Sequence, residues 1–138
     1  MRTILYIFGL CGIIMFGGKY YDFNSKKFTD NLVELITVYY PHHDSATHRS
    51  TFNTDLGVIT NYKIKFKNGT VIEYGGNGKV IFAESFDEDI VPIVLLPKHI
   101  QKYLNKHHNG MNVIKYSADY SKKEFSVVLE DDLKIDFK

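Results

Sequence analysis

The chain has 138 residues, 44% of them hydrophobic, with 10 Tyr and 10 Phe, one Cys and a formal charge of +1. Those totals fit one folded domain built on a single core and exclude a disordered chain. Basic and acidic residues are interspersed, so the chain lacks the clustered basic surface that a nucleic acid or an anionic membrane would need.

The first segment, MRTILYIFGLCGIIMFGG, stands apart from the rest. Arg2 precedes an uncharged apolar run from Ile4 to Phe16, which ends at the small residues Gly17-Gly18. This is the layout of a secretory signal over residues 1–18, and the run is short for a membrane span. Cys11 follows Leu10, where lipid attachment expects a small residue. Removing the segment removes Arg2 and the only Cys, leaving 17 − 1 = 16 basic and 16 acidic residues. An exported chain over 19–138 then has no disulfide, no thiol chemistry and no transmembrane segment, and its core alone must hold the fold.

Two amphipathic helices are predicted. Leu32, Leu35, Ile36 and Tyr39 fall at i, i+3, i+4 and i+7, and Ile100, Tyr103, Leu104 and His107 repeat that spacing 68 positions later. Thr29 is placed to cap the first helix and Pro41 to stop it; Pro97 suits the first turn of the second and Asn109-Gly110 its end.

YKIKFKNGTVIEY (62–74) predicts a hairpin whose register follows from parity. A two-residue Asn68-Gly69 loop would set Ile64 opposite Glu73 and put a charge in the apolar face. A three-residue loop, Lys67-Asn68-Gly69, instead pairs Phe66 with Thr70, Ile64 with Ile72 and Tyr62 with Tyr74, with Gly69 at the left-handed position. FSVVLEDDLKIDF (125–137) repeats the device 63 positions on, pairing Leu129 with Leu133, Val127 with Ile135 and Phe125 with Phe137, with Asp132 at the glycine position.

Further strands are expected over 46–52, 79–83 and 113–120, with 52–61 as a longer connection and 85–94 as a linker. The fold class is thus α+β: two tandem units, about 28–84 and 95–138, each a helix packed on an antiparallel sheet. A unit of roughly 45–55 residues has too little core to stand alone, and two side by side do not.

VELITVYYPHHD, YKIKFKNGTVIEYGGNGKV, LPKHIQKYLNKHHNG and FSVVLEDDLKIDF, in that order, resemble the PepSY-like, β-lactamase-inhibitor-like family of exported bacterial proteins. The resemblance covers about 28–138 and departs from the family in lacking Leu-Pro before the first helix and Tyr-Pro-Gly after the second. It implies a periplasmic or cell-surface protein with no catalytic residues and no cofactor, binding a protein or peptide of the envelope, with inhibition of a hydrolase as one form of that role.

No nucleophile elbow, phosphate loop or HExxH helix is present, so an enzyme is not expected, and Asp87-Glu88-Asp89 and Asp131-Asp132 read as linker and turn acids. The alternative to protein binding is a metal or small-ligand site at His42, His43 and His48, against which stands the expectation that adjacent histidines at a helix end point apart. Alternation sets the remaining candidate surface, the sheet face away from the helices, with Lys63, Lys65, Val71 and Glu73 in one hairpin and Ser126, Val128, Lys134 and Asp136 in the other. Tyr20, Tyr21 and Phe23 either supply aromatic anchors for a partner or pack on the sheet.

Overall fold

The computed structural model describes residues 21–43, 49–55 and 58–138. The predicted signal segment, Cys11, Tyr20 and His48 lie outside these residues. The order of elements is α1 (Lys26–Tyr39), β1 (Arg49–Asp55), β2 (Val58–Lys65), β3 (Val71–Tyr74), β4 (Val80–Glu84), α2 (Lys98–His107), β5 (Val113–Asp119), β6 (Glu124–Leu129) and β7 (Lys134–Phe137). Among the described residues the strands form one seven-stranded antiparallel sheet in chain order. The fold is α+β, with both helices against one face.

α1 begins earlier than its apolar stripe suggests. Ser25, not Thr29, caps it: Phe28 donates its N–H to Ser25 Oγ at 3.1 Å, and Thr29 lies inside the first turn. The earlier start brings Phe28 into the core beside Leu35 and Tyr40, while Tyr39, the fourth residue of the predicted stripe, stays substantially exposed. α2 follows Pro97, which suits a helix start because it has no N–H to leave unpaired. It buries Ile100 and Leu104.

Both hairpins adopt the register that parity requires. Tyr62 pairs with Tyr74 and Ile64 with Ile72, Phe66 donates to Thr70 O at 2.8 Å, and Gly69 has φ +99°. Phe125 pairs with Phe137 and Val127 with Ile135, Leu129 donates to Leu133 O at 2.9 Å, and Asp132 has φ +66°. Ile64, Phe66, Ile72, Tyr74, Tyr116, Val127 and Leu129 therefore face the helices and form a single core with Leu35, Ile100 and Leu104. Each such side chain contributes about 1.5–3 kcal/mol by leaving water.

Two connections were expected where the chain builds structure. Residues 52–55 and 58–61 are strand, with Thr54 opposite Ile59 and Asp55 opposite Val58, so a further antiparallel pair replaces the longer connection. The supposed linker 85–94 is docked: Val91 bridges Val113, and Asp89, Val91 and Pro92 are buried. The N-terminal aromatics also face inward. Tyr21 donates its N–H to Gly76 O, and Tyr21 and Phe23 pack edge-on to each other and to Phe28, with Phe23 stacked on Tyr62.

Candidate functional site

The uncovered face of the sheet is laid out by the same register. One row across the strands reads Lys65, Val71, Glu84, Lys115, Val128, Lys134; the next reads Lys63, Glu73, Phe82, Ser117, Ser126, Asp136. All of the residues predicted for this face therefore lie on it. Lys63, Lys65 and Lys134 are exposed, whereas Glu73 and Val128 are half-buried. Val71 departs from expectation, being only 8% exposed. It is a short side chain on an interior strand, flanked in register by the longer Lys65 and Glu84. Lys115 sets its ammonium 5.8 Å from the centre of the Phe82 ring. The face thus mixes Val71, Phe82 and Val128 with charged side chains, the pair Glu84 and Lys115 lying between the two valines.

A second constellation gathers where α1 ends. Pro41 cannot continue the helix, and the chain turns: Tyr40 donates to Ile36 O and His43 donates to Tyr40 O. In this turn the two histidines do not point apart. Their rings lie 4.3 Å apart, and both aim Nε2 at Asp89. His42 Nε2 stands 2.6 Å from Asp89 Oδ1 and His43 Nε2 stands 2.9 Å from Oδ2. Asp89, read from sequence as a linker acid, has a side chain with 0% exposure.

Asp89 is held from the hairpin as well. Thr70 donates its hydroxyl to Oδ2 at 2.7 Å, Asn68 donates Nδ2–H to the same oxygen at 3.0 Å, and Phe86 N–H closes onto Thr70 Oγ1 at 3.0 Å. Tyr40 donates its hydroxyl to Ile90 O beside it, and His43 stacks on Phe66 at 4.4 Å. Burial works to raise the Asp89 carboxyl, but the hydrogen bonds from His43, Asn68 and Thr70 and the charge of His43 together hold it below the usual carboxylate value. Oδ1 differs from Oδ2 in accepting no hydrogen bond of good geometry, although a nitrogen is at hand.

The histidine pair at the end of α2, which matches Tyr39-Tyr40 in position, behaves otherwise. His107 is exposed and His108 half-buried, and both rings lie near Tyr103. Among the described residues, His42, His43 and Asp89 form the one group of three or more His, Cys, Asp or Glu side chains with metal-ligand spacing.

No protein-family model and no curated protein matches the chain. Solved structures do. A Bacteroides thetaiotaomicron protein, provisionally assigned as calcium-regulated and periplasmic, is 23% identical, with a TM-score of 0.53 over 77% of this chain and 79% of that one. A Bacteroides vulgatus protein of unknown function, provisionally periplasmic, is 23% identical with a TM-score of 0.50 over 77% of this chain and 80% of its own. Another from the same organism, of the DUF2874 family and likewise provisionally periplasmic, is 23% identical with a TM-score of 0.55 over 76% and 78%. At this identity the likeness is one of fold. Among the described residues, no helix is long and apolar enough to cross a membrane.

Proposed function

We propose that the chain is an exported, non-catalytic binding protein of the bacterial envelope, which docks a protein or peptide on the uncovered face of its sheet. The observation that carries this reading is the face itself. Two continuous rows of side chains cross the strands from β2 to β7, in which half-buried Phe82 and Val128 alternate with exposed Lys63, Lys65, Lys115 and Lys134. An antiparallel sheet with helices on one side leaves such a surface available to a partner. Export is supported by the apolar segment behind Arg2 and by the periplasmic assignment of the three structural neighbours. The recurrence of helix, cap and hairpin supports the reading as two tandem units, and with it the likeness to PepSY-like and β-lactamase-inhibitor-like proteins, which act by binding.

The test is crosslinking of the tagged full chain in envelope extract, with partners identified by mass spectrometry, beside a variant carrying Lys63→Glu, Lys65→Glu and Lys134→Glu. These side chains are exposed, so the variant keeps the core. The expected result is a partner crosslinked by the wild type and lost in the variant, then reproduced with the purified partner. A partner captured equally by both would remove the sheet face from the account.

A further inference from the structure

We infer that His42, His43 and Asp89 form a binding site for a borderline divalent transition metal such as Zn²⁺ or Co²⁺, separate from the sheet face. The three ligand atoms lie within 4.8 Å of one another and come from two elements far apart in the chain. Two imidazole nitrogens and one carboxylate oxygen are a common three-ligand set for zinc, with a fourth position left to water.

The two oxygens of Asp89 divide the work. Oδ2 is committed to Thr70 and Asn68, which fixes the carboxylate and leaves Oδ1 as the ligand atom. Oδ1 is buried without a well-formed hydrogen bond, yet His42 Nε2 lies 2.6 Å away. Such a pair of atoms needs a proton or a cation between them. Ligands bound to zinc at the usual lengths stand about 3.3 Å apart, so His42 must withdraw by about 0.7 Å from its 2.6 Å separation. It is free to do so, its side chain being 54% exposed. His43 is positioned by its stack on Phe66, and on loading its Nε2, now 2.9 Å from Oδ2, turns to the metal. The set is unsuited to calcium, which takes six to eight oxygens.

The full chain, stripped of metal, is titrated with Co²⁺ while the visible ligand-field absorption is followed, and Zn²⁺ is then added to displace it. One equivalent of Co²⁺ is expected, displaced by Zn²⁺ and not by excess Ca²⁺. His42→Ala should weaken binding by roughly tenfold or more, and His107→Ala with His108→Ala should leave it unchanged. His42 is half exposed, so its variant remains folded, which circular dichroism verifies; Asp89→Asn is a second variant with the same expected loss. No ligand-field band, or a band unaffected by His42→Ala, overturns the site.

Discussion

The ends of the two helices are built alike and do different things. Tyr40 and His108, 68 positions apart, are both C-caps with nearly the same dihedral angles, φ −131°, ψ 46° and φ −140°, ψ 41°, and donate to Ile36 O and Leu104 O. In each case the residue three further on, His43 or Met111, donates back to the cap carbonyl at 3.1 Å. The hairpin tips match as well, Gly69 donating to Phe66 O as Asp132 donates to Leu129 O. What separates the two ends is the segment after β4. It lays Asp89 between the first helix end and the tip of the β2–β3 hairpin. The two helix ends share their backbone geometry, and one buried carboxylate, Asp89, distinguishes the first.

The sharpest way to break that contrast is Asp89→Ala. It leaves Thr70 and His43, both paired with Asp89 on the buried side, without their acceptor, and should cost about 3 kcal/mol in urea unfolding. The nearest analogue in the second half is Glu130, whose exposed carboxylate accepts Asn112 N–H; Glu130→Ala should cost about 1 kcal/mol or less.

The next effect is one of pH, read at Tyr74 in the first half. Burial, first, and then the neighbouring Tyr21 and Tyr62, push the Tyr74 hydroxyl up from 10.0 to about 12. The folded value is raised, so the contribution is complete below pH 10 and is lost as pH climbs from 10 towards 12. The loss should amount to about 2 kcal/mol over that window. Tyr74→Phe should remove this part of the alkaline limb when unfolding is followed by circular dichroism.

The hairpin tips give the smallest and most symmetrical pair. Gly69→Asp places a side chain at φ +99°, where its Cβ meets Phe86 Cδ2 at 3.3 Å, and should cost about 1 kcal/mol or more. Asp132→Gly relieves a left-handed aspartate and should stabilise by about 0.5–1 kcal/mol. Opposite melting-temperature shifts are expected, and shifts of one sign would mean that the two tips are not equivalent.

The hairpins were legible because a period of two leaves little freedom: a charge at Glu73 could not be placed opposite Ile64, and only one loop length avoided it. The start of α1 was not, since Ser25 precedes two lysines that carry no apolar signal before Phe28. β1 was misplaced for a similar reason, Arg-Ser-Thr-Phe-Asn-Thr-Asp being too polar for alternation to stand out on an edge strand. The orientation of His42 and His43 was misjudged by extending helical geometry past Pro41, a residue that forbids it. Asp89 had the weakest signal of all. In a run of three acids nothing local distinguishes the buried one; the apolar Ile90-Val91-Pro92 that follows was the available hint that this stretch is docked.

The account turns on Asp89 joining the hairpin tip to the helix end, and a double-mutant cycle in urea unfolding between Thr70→Val and Asp89→Asn measures that join. A hydrogen bond of 2.7 Å between buried partners predicts a coupling of about 1–2 kcal/mol. Additivity within about 0.5 kcal/mol would contradict it, and would leave the first helix end no more a site than the second.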